Sequence, residues 1–340
     1  MKIAVIGATG NVGTAILRRL HESPDVDGIV GVSRRRPDGA AAPYHNVTWH
    51  QIDVGDRTAI DELSPVLRGV DAVIHLAWLL QPNHQESVLY RTNVTGTANL
   101  LAAAELAGVP HVICASSVGA YSPASKDTRV DETWPTGGIH TSHYSRHKAA
   151  QERLLDGFEA RHPQITVSRL RPGLIFQGAA GSEIGRYFLG PFVPKGWLGR
   201  LPLGLLPFPA RLQFQAVHSD DVAEAYCQVA AQQAAGAFNI AAEPVLGPDN
   251  LPSLLGAGRT IDLPVSVLRS AAALSWRLRV QRSDPGWVDM AAQAPLMSTE
   301  RARTVLGWRA KMSAMEAAAD VIRGLGSGDG LSQSPPLSPR

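Results

Sequence analysis

Tyr144 and Lys148 stand four residues apart in Thr141-Ser142-His143-Tyr144-Ser145-Arg146-His147-Lys148, a segment that reads as the opening of a helix. Residues four apart share a helix face, so the phenol and the ammonium point the same way. An ammonium beside a phenol favours the phenolate and lowers its pKa from about 10, which makes a tyrosine usable as acid and base near neutrality. Only five of the 32 basic residues are lysines, so a lysine at 148 marks a place for a point charge in a chain that otherwise uses the planar guanidinium. By itself Tyr-x-x-x-Lys also describes an ordinary surface pair. What adds to it is Ala115-Ser116-Ser117-Val118-Gly119-Ala120-Tyr121, which follows an apolar run at 110–115. A serine hydroxyl at such a strand exit can hydrogen-bond the same substrate oxygen that the tyrosine protonates, or simply cap backbone groups.

The elements that would position these groups begin at residue 2. Ile3-Ala4-Val5-Ile6 runs into Gly7-Ala8-Thr9-Gly10-Asn11-Val12-Gly13 and then into the helical pattern Ala15, Ile16, Leu17, Leu20. A strand that turns on glycines into a helix is a cradle for nucleotide phosphates. Gly7 permits the tight turn, Gly10 lets backbone approach a pyrophosphate, and Gly13 lets helix and strand pack closely, with the helix N-terminus facing the anion. Further apolar strand candidates at 28–33, 47–53, 71–77, 110–116 and 165–170 alternate with helical patterns near 12–22, 56–68, 86–107 and 142–161. That alternation predicts a parallel, doubly wound α/β sheet. From Arg171 the rhythm breaks into a Gly/Pro/Leu-rich stretch, resumes at Val217-His218-Ser219-Asp220-Asp221, and gives a late strand at Ala237-Phe238-Asn239-Ile240. Residues 1–172 and 214–245 are therefore expected to form the dinucleotide-binding domain, and 173–213 with 246–324 a small substrate-binding lobe over the strand ends. Residues 325–340 lack apolar content and read as a disordered tail.

Composition removes several classes of function. With 340 residues, 44% of them hydrophobic, the chain can bury a large core. Its net charge is +2, and apart from Arg34-Arg35-Arg36 the basic residues are scattered, so no nucleic-acid partner is expected. No run has the length of a spanning helix and no cleavable leader is legible, so a cytoplasmic protein is expected. Cys114 and Cys227 lie in apolar patterns and read as buried thiols of a reducing compartment. His143 and His147 could share a helix face toward a metal, but no third ligand is near, and no metal site is expected.

These motifs together resemble the extended short-chain dehydrogenase/reductase family, also called the NAD-dependent epimerase/dehydratase family. The resemblance extends to Asp53-Val54 after the third strand, His75-Leu76-Ala77 after the fourth, Asn93-Val94-Thr95-Gly96-Thr97 in the next helix, Arg171-Pro172-Gly173, Val217-His218-Ser219-Asp220-Asp221, and Leu306-Gly307-Trp308. It implies a Rossmann domain in which Tyr144 is the acid/base, Lys148 lowers its pKa and holds the nicotinamide ribose, and Ser117 polarises the substrate oxygen. Asn93 would complete the tetrad. Asp53 and Val54 would meet the adenine, with Leu76, Ala77 and Arg171 also counted among the cofactor-binding residues. The residue before the lysine is His147 where family members commonly have Ser or Thr.

Cofactor choice is read at the end of the second strand, where a carboxylate would bind a ribose 2′-hydroxyl and an arginine a 2′-phosphate. Ser33-Arg34-Arg35-Arg36 has no carboxylate, which favours NADP, with NAD still acceptable if the arginines are only a solvated turn. Three chemistries share the scaffold. Dehydratases of the family carry Thr-Asp-Glu where this chain has Ser117-Val118-Gly119, so elimination of water is not expected. Nucleotide-sugar epimerases usually place Asn and often Arg where this chain has Leu174 and Gln215. The stretch from Tyr187 to Phe214 is apolar, with cations at Lys195, Arg200 and Arg211 and an indole at Trp197. The expectation is an NAD(P)-dependent oxidoreductase acting on a small, largely apolar carbonyl or secondary alcohol. The alternatives are an epimerase with tightly held NAD and a non-catalytic nucleotide-binding sensor. The sequence leaves the oligomer open, a homodimer included.

Overall fold

The computed structural model describes residues 1–81, 83–188, 205–209, 212–254, 256 and 259–339. Its strands are β1 (Lys2–Ile6), β2 (Gly28–Ser33), β3 (Thr48–Gln51), β4 (Ala72–His75), β5 (His111–Ala115), β6 (Arg129–Val130), β7 (Thr166–Pro172), β8 (Leu174–Phe176), β9 (Leu205–Pro207), β10 (Ala216–His218), β11 (Gly236–Ile240), β12 (Arg259–Ile261) and β13 (Leu296–Met297). Its helices are α1 (Asn11–His21), α2 (Ala59–Leu67), α3 (Glu86–Tyr90), α4 (Gly96–Ala107), α5 (His143–Arg161), α6 (Gly181–Phe188), α7 (Ser219–Gln232), α8 (Leu251–Leu254), α9 (Val265–Arg277), α10 (Gly286–Gln293), α11 (Glu300–Val305) and α12 (Ala314–Ser327).

Seven strands form one sheet in the order β11-β7-β5-β4-β1-β2-β3, parallel at every pairing. The chain builds outward from β1 to β3, then returns to the other side of β1 and builds outward again through β4. That reversal opens a crevice beyond the carboxyl ends of β1 and β4, where an α/β sheet binds its ligands. Both faces of the sheet are covered, so β1 reads as a continuous apolar run. Ile3 and Val5 join a core with Ile16, Leu17, Val222 and Tyr226. Ala4 and Ile6 join the opposite core with Leu63, Leu100, Leu155 and Phe158.

Two expectations of organisation are corrected. Ala302, Leu306, Trp308, Ala314 and Ala318, assigned from sequence to the lobe, belong to the first core of the dinucleotide-binding sheet, because α11 and α12 present small and apolar faces to it. The stretch read as a disordered tail continues α12 to Ser327 and then lies against the crevice. Ser334 Oγ donates to Thr9 O at 2.7 Å, Asp38 N donates to Gln333 O at 3.2 Å, and Arg186 donates to the carbonyls of Pro336 and Ser338. Ser334 and Leu337 are fully buried. Backbone hydrogen bonds and the low chain entropy of a proline-rich segment supply what its apolar content lacks. Lys195, Trp197, Arg200 and Arg211 lie outside the described residues.

Candidate active site

The glycine turn behaves as its spacing requires, and the three glycines do different jobs. Gly7 has φ +88° and a Cβ there would lie 2.8 Å from Ala77 N; a Cβ on Gly13 would lie 2.5 Å from Gly7 O. These two are needed by the fold itself. A Cβ on Gly10 would meet only Gly7 O at an ordinary 3.5 Å, so protein packing alone does not demand glycine there. The open side of Gly10 is the side from which an anion would approach. Gly10 is also the N-cap of α1 and offers no side-chain cap, which leaves first-turn N–H groups for a ligand.

Gly7, Thr9, Gly10, Ser33, Val54, Leu76 and Ala77 line a groove of about 150 Å³ together with Arg34 and Arg35. Asn11, Val12 and Gly13 face the adjoining larger cavity. The arginines are exposed and make no ion pair among the described residues. The glycine turn and the groove together fit a dinucleotide. Two expected contributors do not line the groove. Asp53 accepts from Gly55 N at 2.9 Å and faces Arg91 at 3.8 Å. Arg171 is turned inward: its Nε and Nη2 grip Glu152 at 2.7 and 2.9 Å, and Nη1 donates to Tyr121 Oη and Glu132 O. Glu152 is fully buried and also accepts from Ser116 Oγ and Arg169, so these cations hold its carboxyl below the ordinary range. Arg171 neutralises a buried carboxylate, and four of its five N–H donors are spent inside the protein.

The larger cavity, of about 580 Å³, brings Ser117, Tyr144 and Lys148 onto one wall. α5 begins at His143 because Ser142 caps it, accepting from Ser145 N, and this fixes Tyr144 in the first turn with Lys148 one turn on. The Tyr144 ring lies so close to Gly119 that a Cβ there would sit 2.9 Å from Tyr144 Cε1 and 3.0 Å from Met290 Sδ. Trp78 packs edge-on at 5.8 Å and Trp287 tilted at 5.0 Å. The Tyr144 hydroxyl is hydrogen-bonded to Ser117, yet burial pushes its pKa up to about 12. Ser117 Oγ also accepts from Gly119 N at 3.0 Å.

Lys148 is engaged by groups other than the phenol. Its Nζ donates to Ala115 O at 2.6 Å and Gln151 Oε1 at 3.0 Å, and the Trp78 ring covers it with the centroid 3.4 Å away. Burial pulls the ammonium down to about 7. Neutral acceptors and an indole face stabilise a cation less than a carboxylate would. Asn93 is likewise not at the reacting groups. It sits in a wide turn at Arg91–Thr95, where Oδ1 accepts from Leu79 N at 2.7 Å and Nδ2 donates to Leu79 O at 2.9 Å. The amide pins the loop that carries Trp78.

Sequence reasoning missed Trp78, although it directly follows the Leu76-Ala77 already placed at the exit of β4. It also missed Asp284, whose Oδ1 caps α10 at Gly286 N and whose Oδ2 pairs with His143 Nδ1 at 2.9 Å and accepts from Asn83. The pair ties the helix of Tyr144 to the helix that lays Trp287 and Met290 on its ring. His147 packs on Tyr90 and faces Glu86 at 3.5 Å.

The model of the NAD dependent epimerase/dehydratase family matches residues 3–241, and the chain belongs to that enzyme family. An uncharacterized epimerase/dehydratase of Staphylococcus aureus is 29% identical over 176 residues, 51% of this chain and 53% of the relative. The chain thus spans about half the length of the curated relatives it matches. A UDP-glucose 4-epimerase of Bifidobacterium longum in complex with NAD+ and UDP covers 96% of the chain and 98% of its own, with 19% identity and a TM-score of 0.69. The DesIV dTDP-glucose 4,6-dehydratase of Streptomyces venezuelae, with NAD bound, covers 95% and 96%, with 22% identity and a TM-score of 0.67. At such identities the likeness shows a shared Rossmann-like fold. No helix among the described residues is long and apolar enough to cross a membrane.

Proposed function

We propose that this chain is an NADP-dependent oxidoreductase that interconverts a carbonyl and a secondary alcohol on a largely apolar substrate. The observation that carries the reading is the wall facing Tyr144. Leu80, Val118, Leu174, Phe214, Trp287 and Met290 line it, and Gln215, the polar side chain at a place where epimerases hold a sugar nucleotide, is already spent. Its Oε1 accepts from Met297 N at 2.7 Å and its Nε2 donates to Met297 O at 3.1 Å. A diphosphate would find few donors there, whereas an apolar ketone fits.

The chain's own residues supply binding, orientation and a proton. With a pKa near 12 Tyr144 is a neutral phenol at pH 7, the form that gives a proton to a carbonyl oxygen as it becomes an alkoxide. Ser117, held by Gly119 N and paired with Tyr144, offers a second contact to the same oxygen. Arg34 and Arg35 would hold the 2′-phosphate, and the open side of Gly10 with the start of α1 the pyrophosphate. The nicotinamide, when bound, supplies or accepts the hydride. Trp78 would have to yield for Lys148 to reach a ribose.

The test is NADPH oxidation by the purified chain with a panel of ketones and aldehydes, beside calorimetry with UDP. Turnover of hydrophobic ketones with weak UDP binding supports the reading. Micromolar UDP binding without net redox change would replace it with the epimerase, the relatives' named activity.

A further inference from the structure

The cavity wall contains one group that a neutral ketone would leave unused. Lys126 lines it where residues 213–215 meet Ala294 and Pro295. Its Nζ donates to Gln213 O at 2.8 Å and to Ala294 O. Both acceptors are neutral, and no carboxylate pairs with Lys126 among the described residues. Two of its three N–H donors are taken, and the third has no partner among the described residues. The ammonium is thus held at a fixed point of an apolar wall with its charge uncompensated, and burial lowers it to about 8. Lys126 is half-buried, and a charge drawn partly out of water without a counter-charge is costly.

We propose that the substrate carries a carboxylate, apart from its reacting carbonyl, that docks on Lys126 Nζ. This rests on the oxidoreductase reading of the same cavity. A carboxylate fits better than a phosphate. One remaining N–H and one positive charge match a monoanion, whereas a phosphate brings a charge near −2 and three oxygens to a wall whose nearest amide, Gln215, is committed to Met297. The reacting carbonyl at Ser117 and Tyr144 and the carboxylate at Lys126 then orient the molecule from two points, with apolar contact between them.

Three ligands of one skeleton test it: a medium-chain keto acid, its methyl ester, and the matching keto phosphonate. The wild-type chain is expected to show a KM for the acid about tenfold or more below that for the ester, the worth of a charge-assisted hydrogen bond in an apolar site. Lys126→Met should collapse that ratio, and Lys126→Arg should keep part of it. A preference that persists in Lys126→Met, or a wild-type chain that favours the ester or the phosphonate, overturns the proposal. A measurement on the wild-type chain alone covers the case in which Lys126→Met fails to fold. Near pH 8 the acid should take up protons on binding, because the carboxylate raises the ammonium back toward its ordinary pKa, and the ester should not. Calorimetry in buffers of different ionisation enthalpy reads this, and absence of the acid-specific uptake likewise counts against the site. Failure of the oxidoreductase reading looks different: the acid binds with proton uptake, yet NADPH is not consumed.

Discussion

Replacing Tyr144 by Phe removes one oxygen from a ring whose position is set by other contacts. Gly119 and Met290 on one side, with Trp78 and Trp287 at 5.8 and 5.0 Å, hold a phenyl as well as a phenol. The lost hydroxyl has Ser117 as its partner, and Ser117 Oγ keeps the N–H of Gly119 at 3.0 Å. Loss of one neutral hydrogen bond therefore costs about 1 kcal/mol of stability. Loss of a positioned proton donor costs about 10²- to 10⁴-fold in turnover, or about 2.7 to 5.5 kcal/mol of barrier. The barrier effect exceeds the stability effect, so a folded Tyr144→Phe protein with intact NADPH binding should be nearly inactive. The pKa near 12 adds a sign. Reduction needs the neutral phenol and should not lose it between about pH 6 and pH 10, while alcohol oxidation needs the phenolate and should rise about tenfold per pH unit over that range. Ketone reduction and alcohol oxidation measured across pH, beside a melting curve, check both halves. Turnover of the Phe variant within about tenfold of wild type, against the 10²-fold or more worth of such a donor, would refute the assignment.

Arg34→Ala, alone or with Arg35→Ala, should weaken NADP about tenfold or more while sparing NAD, because a charge-assisted contact to the 2′-phosphate is lost; titration with both cofactors that shows equal weakening would make the arginines a solvated turn. Gln215→Arg would place an arginine where epimerases of the family often have one, but it breaks two bonds to Met297, so the variant should melt lower than wild type and gain little UDP affinity by calorimetry. Ending the chain after Gly328 should lower the melting temperature by several degrees, since Leu337 leaves a fully buried site worth about 1.5 to 3 kcal/mol and Ser334 leaves Thr9 O; an unchanged melting curve would restore the tail to the disordered state its composition suggests.

What was legible in the sequence was what short-range spacing controls. The glycine turn, the strand exit at Ser117 and the helical turn from Tyr144 to Lys148 each depend on neighbouring residues, and the structure brings all of them to the same crevice. What was not legible depends on partners far along the chain. Lys148 has the expected face, but Trp78, some seventy residues earlier, covers it, and Ala115 O and Gln151 take its donors. Arg171 stands at the expected strand end, but Glu152, one turn beyond Lys148 on the same helix, claims its guanidinium. Each residue stands where its pattern places it, and the groups that the folded chain brings around it decide what its donors reach. Lys126 is the converse: it lies in a loop without a motif, and its environment is made by Gln213 and Ala294. The consequence bears on substrate. On the proposed reading the motif sets where a proton would be exchanged, and the choice of molecule would turn on wall residues such as Lys126, Leu174 and Gln215, whose neighbours only the folded chain assembles.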